Sequence, residues 1–522
     1  MSKVFIYDST LRDGAQAQGI SFSVEDKLKI VSKLDKLGIN YIEAGNPGSN
    51  PKDIEFFERI KKIELKNARL AAFGSTRRAG IIAEEDANVQ SLLKAETPIV
   101  TIFGKAWDFH VLEVLRTTLD ENINMIKDTI RFFKDKGKEV IFDAEHFFDG
   151  YRVNPEYAMK VLKAADESGA ECLVLCDTNG GTFPDRIFEI TKFVKDSFKE
   201  TDIGIHCHND TGMADANSVM AVKAGAAQVQ GTINGFGERC GNANLITIIS
   251  NLQLKMGCDC ILEENIEKIT TTARFISEIA NIMHNERAPY VGSCAFAHKG
   301  GMHIDAVMKN TASFEHIDPS IVGNERKVLM SEVSGRSTII SAIREVDAGI
   351  NKDSPEAKKI IDKLKQLEHE GYQFEGAESS FELVIRKELG KYKNFFELED
   401  FKVIDTDPDK NDLSASAIIK IKVGDITEIT AAEGDGPVNA LDKALRKALE
   451  VFYPEIVKMH LTDFKVRVLD SGAATAAKVR VLIESTDGEN SWSTVGVSTN
   501  IINASWKALV DSVEYMLLKS QC

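Results

Sequence analysis

The sequence predicts an α/β fold that consists of an eight-stranded TIM-type (β/α)8 barrel, a helical subdomain and linker, and a C-terminal α+β domain. Three observations support this prediction. A short apolar strand followed by an amphipathic helix recurs along the first 235 residues, at the roughly 30-residue spacing of one βα unit. Polar and acidic residues follow the ends of these strands. Near the C-terminus, two similar βββα-like halves follow each other. A doubly wound open sheet is the alternative for the first part.

The eight predicted strands are short, and several are near-continuous apolar runs. Runs of this kind are typical of parallel strands that are buried on both faces. Eight successive βα units close more naturally into a barrel than into an open sheet. The predicted strands are Lys3–Tyr7, Asn40–Ala44, Arg69–Phe73, Pro98–Phe103, Glu139–Asp143, Cys172–Cys176, Asp202–His206 and Val229–Ile233.

Helix start and stop signals stand between the strands. Ser23 and Asp26 form a capping pair at the start of a helix that ends at Gly38. Asn154 precedes Pro155, which places a capping residue before a first-turn proline. These signals predict helices where the barrel requires them.

The pattern changes after the last predicted barrel strand, which gives three predicted domains: residues 1–262, 263–375 and 376–522. The middle part is helical, and Ser354–Glu370 is a charged helix that we interpret as a connector. The last part repeats itself, because Phe401-Lys-Val and Phe464-Lys-Val each open a unit with alternating strands. The units close with the predicted helices Asn439–Val451 and Ala504–Leu518.

Composition limits the class of protein. The net charge of −16 argues against a nucleic-acid partner, which needs clustered Lys and Arg. The N-terminal apolar run is too short for a signal peptide, and no stretch approaches the roughly 20 apolar residues of a membrane span. Eight cysteines without a CxxC pair predict free thiols in a reducing cytoplasm.

The predicted strands end in polar segments, where a barrel carries its functional groups. His206 and His208 stand two apart at a strand end, so both imidazoles point to one face and can chelate a divalent cation. With Asp13 they suit Mn²⁺, Mg²⁺, Co²⁺ or Zn²⁺, while two unrelated histidines are the alternative. Arg12 beside Asp13 predicts binding of a developing oxyanion, with a surface ion pair as the alternative. The polar segments are Asp8–Gly14, Asp143–His146, Asp177–Gly181, His206–Asp210 and Asn234–Asn244.

Three motifs resemble the signatures of the 2-isopropylmalate, homocitrate and citramalate synthase family, and most closely its long-type citramalate branch. The resemblance covers the chain essentially end to end. The motifs are Ser9-Thr-Leu-Arg-Asp-Gly-Ala-Gln16, His206-Cys-His-Asn-Asp210 and Gly235-Phe-Gly-Glu-Arg-Cys-Gly-Asn-Ala-Asn-Leu245.

The resemblance implies a metal-dependent condensation of acetyl-CoA with pyruvate, followed by thioester hydrolysis, as a step towards isoleucine. It implies metal ligation by Asp13, His206 and His208, with Asn242 as a further ligand, and polarisation of the keto oxygen by Arg12. A 2-isopropylmalate or homocitrate synthase with another 2-keto acid is the alternative, because one methylene is worth only about 1–3 kcal/mol in an apolar pocket.

The resemblance also implies that Thr178 holds the keto-acid carboxylate and that Glu145 helps activate the acetyl methyl group. His303 matches a catalytic histidine of the family, although a lone histidine outside the barrel can equally be structural. Phe314 stands where the family often has tyrosine. Ala17-Gln18 and Asn46 also depart from the usual pattern, without touching a proposed ligand.

The C-terminal domain resembles a dimeric regulatory domain that binds an end-product amino acid, here isoleucine. The resemblance implies a homodimer and a regulatory site that includes Gly434, Gly436, Pro437 and Asn503. The duplicated domain argues against a lyase of the 3-hydroxy-3-methylglutaryl-CoA type, which needs no end-product sensor. A non-catalytic amino-acid sensor with an inactive barrel is the remaining alternative.

Overall fold

The computed structural model describes most of the chain, in two compact units. The first unit comprises residues 1–296 and 317–326, and the second comprises 297–316 and 327–522. The three-domain division therefore stays a prediction. The residues described are 2–48, 51–328, 339–340, 343–344, 346–347, 349–350, 354–374, 376–405, 415–469, 477–488 and 490–520.

Eight parallel strands close into a barrel in the first unit, which confirms the predicted fold. Strand β1 pairs with β8 through Phe5 opposite Gln228, so the sheet has no free edge. The last strand ends earlier than predicted, because Ile233 enters a 3-10 turn. The strands are β1 Phe5–Asp8, β2 Tyr41–Glu43, β3 Arg69–Ser75, β4 Ile99–Lys105, β5 Glu139–Glu145, β6 Cys172–Asp177, β7 Asp202–Cys207 and β8 Gln228–Gly231.

Helices surround this barrel, and two of them begin at the predicted signals, after Ser23 and after Asn154. The Ser23 hydroxyl accepts a hydrogen bond from the Asp26 backbone, and the Asp26 carboxylate accepts one in return. Gly38 ends that helix with φ 96°, a left-handed conformation that glycine adopts without strain. The helices are α1 Val24–Leu37, α2 Pro51–Ile60, α3 Ala87–Lys94, α4 Leu119–Asp135, α5 Phe147–Val153, α6 Pro155–Asp166, α7 Pro184–Ser197, α8 Ala214–Lys223, α9 Leu245–Met256 and α10 Ile269–Ile279.

The barrel interior is filled by side chains below the polar rim. Tyr7, Ile99, Ile141 and Val174 are buried there against one another. A larger apolar core lies between the strands and the surrounding helices. Barrels of this type carry their functional sites at the carboxyl ends of the strands, above such packing.

The second unit contains the predicted duplication. Each half has three antiparallel strands in sequential order followed by a helix. One core joins both halves, with Ile419 and Leu445 from the first and Ile483 and Leu509 from the second. The first half is β11 Glu397–Asp405, β12 Ala415–Val423, β13 Ile426–Gly434 and α14 Pro437–Glu450, and the second is β14 His460–Val468, β15 Val479–Thr486, β16 Ser491–Ser498 and α15 Ile501–Ser520.

The remaining elements of the second unit precede these halves. The charged helix Ser354–Glu370 is confirmed, with Ser354 as its cap, and it buries Ile360 and Leu364 in a small core of its own. Among the described residues, no helix has the length and apolar character needed to span a membrane. The elements are β9 Ala297–His298, α11 Gly301–Lys309, β10 Lys327–Val328, α12 Pro355–Glu370 and α13 Glu378–Glu388.

Candidate active site

The predicted metal ligands lie together at the carboxyl ends of the barrel strands. Asp13 follows β1, His206 is on β7, and His208 stands just beyond β7. The Asp13 Oδ2 atom lies 3.4 Å from His206 Nε2 and 3.9 Å from His208 Nε2. All three residues are buried, and one donor atom from each lies within 4.8 Å of the others. This arrangement can hold a divalent cation.

Asn242, the further predicted ligand, lies beside this group. It forms an isolated β-bridge with His208, and its Nδ2 donates to the Phe236 carbonyl over 3.1 Å. Its Oδ1 atom is buried and has no hydrogen-bond partner within the described part of the chain. A buried amide oxygen without a partner is costly, so its position fits a cation ligand.

The electrostatics of the group favour ionised Asp13 and neutral His208. Burial alone would raise the pKa of Asp13, but Arg12 and His206 hold it well below its usual range. Burial, with the neighbouring His206, lowers the pKa of His208 to about 4. A carboxylate and a neutral imidazole are the forms that bind a cation.

Arg12 is held by three neighbours. Its Nε donates to Glu43 Oε1 over 2.5 Å, and its Nη1 donates to Asp13 Oδ2 over 3.1 Å. Its guanidinium carbon lies 3.7 Å from the centre of the Phe73 ring. Glu43 is fully buried and also accepts hydrogen bonds from the Tyr7 and Ser9 hydroxyl groups.

Glu43 was missed by the sequence prediction. It stands at the carboxyl end of β2, and reading that strand end as the others were read would have found it. A single buried acid in an apolar strand carries no motif, so nothing else in the sequence indicates its role.

A cavity of about 220 Å³ opens above the predicted ligands. One wall is aromatic, because the Phe73 and Phe103 rings stack with their centres 5.2 Å apart. A second cavity of about 490 Å³ shares Arg12, Gln16, Phe73 and Phe103 with it. The lining residues are Arg12, Asp13, Gln16, Phe73, Phe103, Asp143, Glu145, Cys176, Thr178, His206, His208, Glu238 and Arg239.

Glu145 ends β5 and Thr178 follows β6, and both line this cavity. Their roles stay predictions. The Thr178 hydroxyl accepts a hydrogen bond from the His146 backbone over 2.9 Å, so its own hydrogen can point elsewhere. Arg239 donates to the Thr178 carbonyl over 2.9 Å and thereby fixes that loop. Glu145 forms an ion pair with Lys105.

The other predicted site residues lie in the second unit. His303 is on α11, where its ring stacks on Phe314 with 4.1 Å between centres. Gly436 and Pro437 line a cavity of about 510 Å³ beside Arg446. The catalytic role of His303 stays a prediction.

The regulatory site also stays a prediction. Gly434 ends β13, where a Cβ would lie 2.5 Å from the Ala440 backbone nitrogen. Asn503 lies on α15, in the other half of the duplication. The structure brings Gly436 and Pro437 to one cavity, whereas Asn503 is not among the residues that line it.

Comparison with known proteins gives matches along the whole chain. The HMGL-like family model matches residues 3–276, a homocitrate synthase post-HMGL domain-like model matches 290–372, and the LeuA allosteric (dimerisation) domain matches 375–517. The (R)-citramalate synthase of Aquifex aeolicus is 56% identical over 99% of this chain and 98% of that protein.

Two further relatives agree with this match. The (R)-citramalate synthase of Geobacter sulfurreducens is 53% identical over 100% of this chain and 99% of that protein. That of Synechocystis sp. is 51% identical over 100% of this chain and 97% of that protein. The buried Asp13, His206 and His208 group lies in the part of the chain that the HMGL-like model matches. The chain therefore belongs to the HMGL-like family, and within it to the (R)-citramalate synthases.

Proposed function

We propose that this enzyme condenses acetyl-CoA with pyruvate and hydrolyses the thioester, giving (R)-citramalate and CoA. The observation that carries the proposal is the buried group of Asp13, His206 and His208 beside Arg12, in a cavity of about 220 Å³. Family membership supports the reaction class. The full-length similarity to (R)-citramalate synthases supports pyruvate as the acceptor.

A divalent cation, Mn²⁺, Mg²⁺, Co²⁺ or Zn²⁺, would be held by Asp13, His206 and His208, with Asn242 as a further ligand. Such a cation supplies Lewis-acid polarisation of the keto group. The mixed oxygen and imidazole donor set suits all four ions, so the donors do not distinguish them.

Arg12 and Thr178 would orient the acceptor. The Arg12 guanidinium faces the cavity and stabilises negative charge that develops on the keto oxygen during attack. The Thr178 oxygen accepts from the His146 backbone, and its hydroxyl hydrogen would be donated to the acceptor carboxylate. Together they would present the keto carbon to the incoming carbon nucleophile.

Glu145 would help remove a proton from the acetyl methyl group, since its carboxylate lines the same cavity as Arg12 and its partner Lys105 lies at the same rim. His303 is proposed as a second catalytic group, from its match to the family's histidine.

The aromatic wall of Phe73 and Phe103 would exclude larger 2-keto acids. A different acceptor, as in 2-isopropylmalate or homocitrate synthases, is the alternative reaction.

The C-terminal part is proposed to bind isoleucine as an inhibitor and to form a homodimer. The match to the LeuA allosteric (dimerisation) domain supports this role, as does the duplicated βββα architecture. We propose residues 1–262 as the catalytic domain, 263–375 as the helical linker and 376–522 as the regulatory domain.

The test is CoA release by the purified full-length enzyme with acetyl-CoA and one keto acid at a time: pyruvate, 2-ketobutyrate, 2-ketoisovalerate or 2-ketoglutarate. The highest kcat/KM is expected with pyruvate, and release is expected to stop after treatment with a chelator. A higher kcat/KM with any other acceptor overturns the acceptor assignment, and undiminished release from metal-free enzyme overturns the metal assignment.

A further inference from the structure

Gln230 lies inside the barrel between two groups of opposite hydrogen-bonding character. It is on β8, fully buried, and stands in register with His206 on β7. Its Nε2 donates to Asp143 Oδ1 over 3.0 Å. Its Oε1 lies 2.9 Å from His206 Nδ1. The side-chain amide therefore spans the space from a carboxylate to an imidazole.

The neighbours fix which way this amide points. Asp143 Oδ1 and the Oε1 atom of Gln228, 3.4 Å from Nε2, both lie on the Nε2 side as acceptors. Burial raises the pKa of Asp143 to about 7, but a protonated carboxyl group still keeps one oxygen that only accepts. Turning the amide over would bring its oxygen against these two acceptors and leave its NH₂ facing His206. Since Nε2 donates on one side, Oε1 must be an acceptor on the other.

An acceptor at Oε1 decides the tautomer of His206. A neutral imidazole carries one hydrogen, and here that hydrogen must be on Nδ1 to meet Oε1. His206 Nε2 then has its lone pair free, and this is the atom that lies 3.4 Å from Asp13 Oδ2. His208 differs, because its buried Nδ1 has no hydrogen-bond partner within the described part of the chain.

We propose that Gln230 is a positioning residue that holds His206 in the Nδ1–H form, so that Nε2 is presented to the divalent cation, with Asp143 as the anchor of the amide. This inference rests on the proposed cation site. Partners of this kind orient ligating histidines and raise their basicity, and their loss typically weakens metal binding about 10–100-fold.

The test compares Co²⁺ binding, by titration of the metal-free enzyme and by the Co²⁺ absorption bands, in the wild type and in variants. Gln230→Leu removes the hydrogen bonds to Asp143, Gln228 and His206 at similar volume. It is expected to weaken Co²⁺ binding about 10–100-fold and to alter the bands. The double variant Gln230→Glu with Asp143→Asn reverses the polarity of the bond to residue 143 and keeps the acceptor that faces His206. The new carboxylate still accepts from His206 Nδ1 and also accepts from the amide introduced at position 143, so Co²⁺ binding is expected to recover.

Folding of each variant is checked by circular dichroism and thermal denaturation. A folded Gln230→Leu enzyme with unchanged Co²⁺ affinity and bands overturns the inference and leaves the proposed function standing. A folded double variant that binds as weakly as Gln230→Leu also overturns it. A wild type that binds no Co²⁺ overturns both this inference and the proposed metal site.

Discussion

The Arg12 Nε atom donates a hydrogen bond to Glu43 Oε1 over 2.5 Å, inside a barrel that buries the glutamate completely. We expect Glu43→Gln to lower kcat for CoA release by about 10–100-fold, because a buried charged hydrogen bond is worth about 1.5–3 kcal/mol and Arg12 loses its orientation with it. The control is Glu139→Gln, which removes an ion pair with Arg69 at the opposite end of the barrel. Equal kcat in the two variants would contradict the role of Glu43.

Removal of a metal ligand is expected to be more severe. Asp13→Ala and His206→Ala should lower CoA release by more than about 10³-fold, because the polarising charge is lost together with its binding site. Metal analysis of the purified proteins should show the loss of bound cation. His369→Ala, far along the chain on α12, serves as the control. Turnover in either ligand variant within about tenfold of the control would refute the ligand assignment.

The aromatic wall gives a prediction about specificity. Phe103→Ala opens the cavity beside Phe73 without removing the ring that contacts Arg12. The ratio of kcat/KM for pyruvate to that for 2-ketoisovalerate should fall by about tenfold or more, since each methylene excluded is worth about 1–3 kcal/mol. The half-exposed Phe193 provides the control in Phe193→Ala. An unchanged ratio would show that the wall does not select the acceptor.

The loop that contains Gly235, Gly237 and Gly241 gives a prediction about the neighbouring Asn242. A Cβ at Gly237 would lie 2.2 Å from Asn242 Nδ2, so Gly237→Ala must displace that side chain. We expect weaker cation binding, measured by Co²⁺ titration, and lower kcat. Gly137→Ala is the control, because Gly137 also has a positive φ, 71°, and a Cβ there meets no atom within 4 Å. Identical Co²⁺ affinity in both variants would argue against Asn242 as a ligand.

The second unit gives a prediction about pH. Burial raises the pKa of Asp511 to about 6, although Lys387 and the Ser380 hydroxyl favour its ionised form. The folded protein therefore binds a proton on the Asp511 carboxyl group more tightly than the unfolded chain does. The stability that this protonation contributes is lost as the pH rises from about 4 to 6.

Asp511→Asn removes this dependence. Its melting temperature relative to the wild type should be higher at pH 7.5 than at pH 4.5, by a few degrees. Thermal denaturation at both pH values measures the difference, with Asp362→Asn on the exposed face of α12 as the control. If the melting temperature of the wild type exceeds that of Asp511→Asn by more at pH 7.5 than at pH 4.5, the raised pKa of Asp511 is contradicted.

The parts of the site that could be predicted from the sequence are local in the chain. His206 and His208 are two apart at one strand end, and Ser23 caps a helix three residues before Asp26, so spacing alone indicates both arrangements. The strand ends indicated where the other polar segments meet, because parallel strands bring their carboxyl ends to one rim. The roles predicted for Asn242, Thr178 and Glu145 came from the family resemblance.

What could not be predicted depends on contacts between distant strands. Gln230 and Asp143 are 87 residues apart and meet inside the closed barrel, where the register of the strands decides which side chains touch. Glu43 belongs to the same class, since its partners Tyr7 and Arg12 come from another strand and loop. The spacing of residues in the sequence does not indicate which residues of distant strands are in contact.

Asp13 follows the first strand of the barrel and His206 lies on the seventh, with β8 joining them into the ring. A growing polypeptide cannot assemble the three donors until nearly half of it has been synthesised and the ring has sealed. An ion bound there favours the closed barrel over forms in which β1 and β8 have separated, so removal of the ion by a chelator should speed protease attack on these two strands. Sealing the ring and capturing the ion are in this sense one event.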